Sequence, residues 1–479
     1  MKKLLYIVIL LLAIGFFTSC NDFLNEQLKV EYTSSNFYTT PENATAAVNG
    51  IYNSLYGNTL WIFGDVGSDD AVKGGNPGDQ PGIVGIDDFT ATSDNGVLIT
   101  FWQATYETIA RANNAIFYIS PMKIDATLRN RLVGEAKFLR AYSYFNLVNI
   151  FGKVPLKLEP QITSATINVG LSEVATLYAQ IEKDLTEAAA VLPPSYASEK
   201  GRVTKGAAYG MLAKTDLYEK KYPECLTNIQ ALENLNQYKL LTNYANLFKA
   251  GAEDSTEVIF GLRFINSTVT PGNILNVDFS PSIEGGYYFD APTQIYVNAF
   301  TDSTLLRTVD PRLDASVGRD GKPWFNNTKF SSSWSPATGY LVKKYNENSI
   351  YTNPQDLKTL VPKDRSTVPY HYMRYADILL MKAEALNESG GVGAAIELNK
   401  VRGRANLAPT TAINQSDLRT IIMNERRKEL GFEFHRFFDL MRWGQTIAEA
   451  ALGPNFKWTQ PRFYFPIPQT EVDTNKALK

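Results

Sequence analysis

The sequence TKGAAYGMLAKTDLYEKKYPECLTNIQALENL, residues 204–235, decides the fold class. Apolar residues recur in it three and four positions apart, which predicts two α-helices, over residues 204–220 and 222–235. A single residue separates them, so the two helices form a hairpin. Small side chains let the helices approach each other, and the bulky ones that follow fill the groove between them. These positions are Ala207, Ala208, Met211, Leu212, Leu217, Tyr222, Leu226 and Ile229.

A second hairpin of this kind is predicted near the C-terminus, with helices over residues 374–387 and 393–404. Both hairpins resemble degenerate tetratricopeptide (TPR) units, in which pairs of helices stack on one another. The alternative is an ordinary helix hairpin in each case. We therefore expect a mainly α-helical protein with a TPR-like helical-repeat scaffold.

Further helices flank these hairpins, and two long regions interrupt the helical pattern. Helices are predicted over residues 41–55, from Leu98 onward, over 129–151, and after Ser172 as an N-cap. Residues 57–97 and 260–370 are instead rich in Gly, Pro, Asp and Asn. Long irregular segments of a folded chain usually carry function, so both are predicted to be surface loops that hold the ligand-binding residues.

The N-terminus reads as an export signal. Lys2 and Lys3 precede an apolar run over residues 4–17, which is too short to cross a membrane as a helix. Cys20 follows directly after Thr18 and Ser19, as at a bacterial lipoprotein cleavage site. We expect lipid on Cys20 after cleavage. An ordinary signal peptide, or an anchor that is never cut, is the alternative.

Composition argues against several classes of function. The 479 residues hold 47 Lys and Arg against 49 Asp and Glu, which is not the basic balance of a nucleic-acid-binding protein. With His371 and His435 as the only histidines, a histidine-based zinc site is nearly excluded. No His-Glu-x-x-His, Gly-x-Ser-x-Gly or P-loop pattern occurs. With Cys20 lipidated, only Cys225 remains, and its place on a repeat helix predicts a core residue.

A series of short motifs, in order along nearly the whole chain, resembles the SusD/RagB-type outer-membrane lipoproteins. The motifs are RANNA at 111–115, EAKFLRAY at 135–142, FGKVP at 151–155, DPRL at 310–313, RYADILL at 374–380, NERRKEL at 424–430 with Phe437, Asp439, Leu440, Arg442 and Trp443, and FPIP at 465–468 with Glu471 and Asn475. Each motif alone is weak, whereas the ordered set together with the lipoprotein signal is specific.

This resemblance implies a TPR-like scaffold with an irregular ligand-binding face, and no enzymatic activity or cofactor. It implies capture of glycans, or sometimes peptides, on the outer face of the outer membrane, and a SusC-like TonB-dependent transporter as partner. We expect a signal peptide over 1–19, a tether over 20–40, and one SusD-like unit over 41–479, made of a helical part (41–250), an irregular binding region (251–373) and a second helical part (374–479).

The charged residues of these motifs have a plainer interpretation. Glu425, Arg426 and Glu429 are placed on one predicted helix that runs from about Ser416 to Trp443, where Glu and Arg three or four positions apart can pair. Buried ion pairs that lock helices together are favoured over contacts with a ligand or partner. The motifs around Asp377 and Arg312 are interpreted in the same way.

A sugar presents a face of C–H groups and a rim of hydroxyls, so its site needs exposed aromatic rings beside polar side chains. The two irregular regions supply both. From the first we select Trp61, Asp69, Asp70, Asn76, Asp94 and Asn95, and from the second Tyr287, Tyr288, Trp324 and Trp334. For each, a solvated loop side chain or a contact with the transporter is the alternative. The Asp69–Asp70 and Asp87–Asp88 pairs lack a calcium-loop pattern, and solvated acidic loops are favoured there.

Two other functions remain open. A glycoside hydrolase on a helical scaffold needs two carboxylates that flank the scissile bond, and the sequence does not show which carboxylates converge. An assembly scaffold is the other alternative, because TPR-like surfaces often bind proteins or peptides.

Overall fold

A computed structural model describes residues 37–56, 59–160, 163–265, 272–325, 328–347, 366–454, 456–459 and 462–479. The predicted signal peptide, Cys20 and most of the tether are outside this range. Among the described residues, none of the helices is long and apolar enough to cross a membrane.

The structure is mainly helical, as predicted. Its helices, α1 to α17 in chain order, are Pro41–Asn53, Pro81–Asp87, Gly96–Ile119, Ala126–Phe151, Ser164–Ile167, Val174–Val191, Lys205–Tyr218, Tyr222–Glu233, Leu275–Phe279, Gln294–Asn298, Pro311–Ser316, Tyr375–Glu388, Ala394–Arg404, Gln415–Leu430, Arg436–Trp443, Gln445–Leu452 and Gln469–Thr474.

Among the residues that the structure describes, eight short strands form four antiparallel two-stranded ladders. In chain order, β1 to β8 are Ala71–Lys73, Val154–Pro155, Leu171–Ser172, Val258–Leu262, Asp290–Pro292, Val317–Gly318, Leu341–Val342 and Tyr370–Arg374. The pairs are β1 with β5, β2 with β3, β4 with β8, and β6 with β7. Three of these ladders involve strands from residues 258–374, so this region is held by strand pairs and short helices rather than by long helices.

The long helices form a continuous stack, in which α4 packs between α3 and α6, then α7 and α8 follow, and α12 with α13 and α14 completes the row. Both predicted hairpins are confirmed, as α7–α8 and α12–α13. Thr204 caps α7 by accepting a hydrogen bond from the Ala207 amide. Cys225 is fully buried in α8, as predicted for a core residue.

Two predictions about the chain are wrong. Residues 57–97 are not a long surface loop, because Ile62–Val66 form a fully buried π-helical turn, followed by β1 and α2. The helix predicted to run unbroken from Ser416 to Trp443 is also interrupted. It ends at Leu430 and restarts at Arg436, with Phe432 and Phe434 at positive φ in between.

The interruption is stabilised by charge. Glu433, in the break, accepts hydrogen bonds from Arg374 Nε at 2.6 Å and from Lys344 Nζ at 2.7 Å, and all three side chains are buried. Burial by itself raises the pKa of Glu433, but Arg374 and Lys344 outweigh that effect and lower the pKa to about 2. A regular helix through residue 433 would not deliver its carboxylate to both cations, and this contact favours the break.

Buried ion pairs extend from this point through the core, as predicted for the motif residues. Arg374 also pairs with Glu257 and Glu429, and Glu429 with Arg312. A neighbouring group joins Arg426 to Asp377 at 2.8 Å and to Asp439 at 3.0 Å. The pairs connect elements that are distant in sequence, and they are structural rather than ligand-facing.

Replacing Arg374 by Met is expected to lower the free energy of unfolding by about 3–5 kcal/mol, because it leaves Glu257, Glu429 and Glu433 buried without their shared cation. Urea denaturation followed by circular dichroism measures this. Arg319→Met is the control, since it breaks a partly exposed pair with Asp314 that contributes below about 1 kcal/mol. Equal losses in the two variants would contradict the assigned role of the cluster.

Candidate functional site

The β1–β5 ladder brings the two irregular regions together. Lys73 is opposite Asp290, and Ala71 is opposite Pro292. The contact continues beyond the strands, where the Gly74 amide donates to the Phe289 carbonyl at 2.7 Å and the Gly75 amide donates to the Tyr288 carbonyl at 3.0 Å. A side chain at position 74 would place its Cβ 2.0 Å from the Tyr288 oxygen, so this close approach requires glycine.

A cluster of aromatic side chains is built on this junction. Its buried part is Tyr288, Trp324, Phe330 and Leu341, and Phe325 and Trp334 pack against it partly exposed. The rings of Trp324 and Phe330 are 5.1 Å apart, and those of Phe330 and Trp334 are 5.4 Å apart. These six residues form a small apolar core of their own beneath the surface, separate from the main core of the helical stack.

Tyr287 and Phe289 stack beside this core. Their ring centroids are 5.2 Å apart with an interplanar angle of 26°. Tyr287 keeps 53% of its surface exposed although it is a large aromatic residue. Lys73 Nζ is 5.8 Å from the centroid of the Phe289 ring and fixes the inner member of the pair. The outer ring is therefore supported from below and open to solvent. We name the surface formed by Tyr287 and Phe289 the aromatic face. Tyr288, between them in sequence, belongs to the small core, whose partly exposed rings are Phe325 and Trp334.

Polar side chains border the aromatic face. Tyr288 Oη donates to Asn76 Oδ1 at 2.8 Å, and Asn76 is itself exposed. Trp324 Nε1 donates to Glu284 Oε1 at 2.9 Å. Lys73 pairs with Asp79 and also donates to the Asn76 carbonyl at 2.9 Å. An exposed amide, two carboxylates and an ammonium group are thus held by defined partners around a ring that is open to solvent.

The predicted site residues divide into those on the aromatic face and those elsewhere. Asn76, Tyr287, Tyr288, Trp324 and Trp334 are brought together, although Tyr288 and Trp324 are mostly buried and support the face from beneath. Sequence reasoning missed four contributors that border or support it, namely Lys73, Asp79, Glu284 and Phe289. For Phe289, the sequence signal was its place at the end of the aromatic run Tyr287-Tyr288-Phe289.

Trp61 does not offer a ring face to a ligand. It is only 3% exposed and packs edge-on against Phe279, with ring centroids 5.3 Å apart. It precedes the buried π-helical turn, so the glycine-rich sequence around it misled the prediction of an exposed platform.

Asp69 and Asp70 are also structural. Asp69 accepts from Arg436 Nε at 2.7 Å and pairs with Arg427 at 2.8 Å, and Asp70 pairs with Arg427 as well. These ion pairs attach the segment before β1 to α14 and α15. They engage both aspartates with arginines instead of leaving them in a solvated loop, so the predicted ligand role of both residues is corrected to an anchoring role.

Asp94 and Asn95 are at the start of α3. Asn95 caps that helix, with its Oδ1 accepting from the Val97 amide at 2.9 Å, and its Nδ2 donates to the Gly82 carbonyl at 3.0 Å. Asp94 is exposed and accepts from the Thr92 hydroxyl. No described contact joins either residue to the aromatic face, and the capping of α3 accounts for Asn95.

Buried carboxyl groups lie beneath the β1–β5 ladder. Burial raises the pKa of Asp65 well above its usual range, and Asp290 and then Asp70 add to the effect. The pKa of Asp290 is raised mainly by burial as well. Both side chains are fully buried. Within the described ranges, no cluster of three or more His, Cys, Asp or Glu side chains is arranged to hold a metal ion.

Comparisons with known proteins agree with one another. A family model described as the SusD family matches residues 256–457, and one described as starch-binding, associating with the outer membrane, matches residues 17–218. The SusD-like protein P2 of Formosa agariphila is 26% identical to this chain, over 99% of this chain and 98% of its own length.

Solved structures show the same similarity. A laminarin-binding SusD-like protein is 28% identical, with a TM-score of 0.77, and the match covers 92% of this chain and 98% of that one. Surface glycan-binding protein A from Bacteroides uniformis is 25% identical, with a TM-score of 0.77, and covers 92% and 99% respectively.

The region around Phe289 can be tested through the pH dependence of stability that Asp278 contributes. The Asp278 backbone carbonyl accepts a hydrogen bond from the Phe289 amide. Burial raises the pKa of its carboxyl from 3.8 to about 7. The native state therefore binds this proton more tightly than the unfolded chain, and stability is lost as pH rises between about 4 and 7. Asp278→Asn removes that loss. The free energy of unfolding of the variant minus that of the unsubstituted chain is expected to rise with pH across this window, by at most about 1.4 kcal/mol per pH unit. It is expected to level off above pH 8. Urea denaturation at pH 4.5, 6 and 8 measures it, and a difference that is constant with pH would contradict the burial of this carboxyl.

Proposed function

Since the chain belongs to the SusD family, we propose that it captures oligosaccharides at the bacterial cell surface on its aromatic face and passes them to an outer-membrane transporter. The observation that carries this proposal is the Tyr287 ring, which is stacked on the buried Phe289 and 53% exposed, with Asn76 at its border. The C–H face of a pyranose packs on such a ring, while its hydroxyls reach the amide and carboxylate groups at the border.

The geometry favours a neutral glycan of more than one unit. The aromatic face is an open stacked pair, with Tyr287 53% exposed, rather than one ring in a deep pocket. The charged groups at its border are already engaged, Lys73 with Asp79 and Glu284 with the Trp324 indole. An open surface of this kind accommodates an extended chain. The named relatives that bind laminarin or surface glycans support the same class of ligand.

Capture without cleavage is the activity proposed. Glycoside hydrolysis needs two carboxyl groups on opposite sides of a glycosidic bond, one able to donate a proton. At the aromatic face, Asp79 is paired with Lys73 and Glu284 accepts from an indole N–H. Both carboxylates are thus held by partners within the protein rather than placed on opposite sides of a bound sugar. A peptide or a purely structural partner is the alternative that the binding experiment separates.

Delivery to a transporter is the second half of the proposal. The resemblance of the motifs implies a SusC-like TonB-dependent transporter, and one matching family is described as associating with the outer membrane. A lipid anchor on Cys20, joined to the folded unit by the tether over residues 20–40, would hold the protein on the outer face of that membrane. The folded unit over residues 41–479 then supplies the binding surface above the transporter.

Tyr287→Ala is expected to weaken oligosaccharide binding about tenfold, because it removes the exposed stacking ring, a change equivalent to about 1.4 kcal/mol. Isothermal titration of the full chain, in a detergent without sugar groups, against laminarihexaose, maltohexaose and a peptide mixture measures this. Phe117→Ala is a matched control, since Phe117 is an aromatic residue of α3 with 54% exposure.

Each mixture is then analysed by chromatography for shortened products. Binding without cleavage, reduced by Tyr287→Ala and unchanged by Phe117→Ala, is the expected result. Cleavage would overturn the proposal of capture alone. Binding of the peptide mixture but of neither oligosaccharide would replace the glycan by a peptide ligand.

A further inference from the structure

A polar cleft of about 340 Å³ is present on a different part of the molecule. The β4–β8 ladder contributes its floor, through residues 258–263 and His371. One wall is the segment between α6 and α7, including Tyr196 and Lys200, and the other includes Gln237 and Tyr238 after α8. Its volume is within the range of about 300–1,000 Å³ that small-molecule sites occupy.

A second hollow of about 410 Å³ adjoins it. The two share residues 200–202 and 261–263, and the second is completed by the end of α1 with Tyr52 and Tyr56. We name the two hollows together the hairpin groove, because its walls flank the α7–α8 hairpin. None of its lining residues belongs to the aromatic face or its border.

Tyrosine side chains in the hairpin groove are held in fixed positions. Tyr56 Oη donates to the Arg263 carbonyl at 2.9 Å, Tyr196 Oη donates to the Val203 carbonyl at 3.1 Å, and the hydroxyls of Tyr238 and Thr204 are 3.0 Å apart. Tyr56, Tyr196 and Tyr238 are partly exposed. Ring systems that are ordered before the ligand arrives reduce the entropy lost on binding.

The charged residues of the groove neutralise one another. Arg263 Nη1 donates to Asp254 at 2.9 Å, Lys200 is 3.3 Å from the same carboxylate, and Arg202 Nε donates to Glu199 at 2.8 Å. No uncompensated charge of either sign is offered to a ligand by these pairs. Many hydrogen-bonding groups remain, which favours a ligand with numerous hydroxyls and no net charge.

Two lining residues are held in the wall of the groove. His371 Nε2 is 2.8 Å from the Leu247 carbonyl and donates to it, which leaves Nδ1 as an acceptor without a donor. Burial lowers the pKa of His371 to about 4, so the ring is neutral at pH 7. Glu253 Oε2 is likewise a buried acceptor without a partner among the described residues. Both atoms are buried beneath the surface of the groove, so it is the ordered tyrosines and the neutralised charges that support a ligand.

We propose that the hairpin groove is a second saccharide-binding site, which takes a short neutral oligosaccharide independently of the aromatic face. The proposal goes beyond the proposed function, since it requires neither the aromatic face nor a transporter. Two sites on one chain would let it hold a glycan at two points, which lengthens the time a polymer stays bound.

Saturation-transfer NMR with maltose, laminaribiose and glucose tests the groove in the full chain carrying Tyr287→Ala, so that binding at the aromatic face is weakened in every sample. The variant Lys200→Ala/Gln237→Ala truncates two exposed side chains on opposite walls of the first hollow. At least one of the three sugars is expected to give a transfer signal, and the signal is expected to fall at least threefold in the variant.

The control Lys239→Ala/Gln230→Ala removes the same two residue types from exposed positions nearby that do not line the groove, and it is expected to keep the signal. Absence of any signal at 50 mM sugar, or a signal that the groove variant leaves unchanged, would overturn the proposal. Because every sample here carries Tyr287→Ala, either result leaves the titration with Tyr287 intact as a separate test of the proposed function.

Discussion

The buried guanidinium of Arg374 is the interaction on which the remaining structure depends. Arg374 is the last residue of β8 and directly precedes α12. Its guanidinium contacts three carboxylates: Glu257 directly before β4, Glu429 in α14, and Glu433 in the break after α14. An unpaired charge at this depth costs several kcal/mol, so each partner is required by the others. The cluster therefore fixes the second helical hairpin, the β4–β8 ladder and the last helices relative to one another.

The effect of this cluster reaches the aromatic face through the break at residues 431–435. Phe434 lies so close to the buried π-helical turn that a Cβ at Gly64 would be 2.3 Å from the Phe434 carbonyl oxygen. The turn leads into Asp69 and Asp70, which Arg427 and Arg436 bind from both sides of the break. The residues that follow form β1. The pairing of β1 with β5 fixes the position of Tyr287, which lies shortly before β5 in the chain. Ion pairs that contact no ligand thus position the surface proposed to bind one.

Helical periodicity was sufficient to predict both hairpins, because their buried positions recur regularly. It failed at residues 431–435, where a contact between Glu433 and the distant Arg374 overrides the local preference for a continuous helix. It also failed for Trp61, since a glycine-rich composition indicates a loop equally well whether the loop is exposed or covered. Asn76 and Tyr287 were selected only because both are in irregular regions. Their proximity depends on the β1–β5 pairing, which no local pattern encodes.

The three-residue β1–β5 ladder also has a consequence for how the protein reaches its native state. Tyr288 and Asn76 form their hydrogen bond across 212 positions of sequence. Contacts of such separation are costly in loop entropy until the intervening chain has become compact. The α7–α8 hairpin, whose partners are adjacent in sequence, has no such requirement. The helical stack should therefore assemble first and the aromatic face last, so that the chain acquires its proposed recognition surface only after its scaffold is complete.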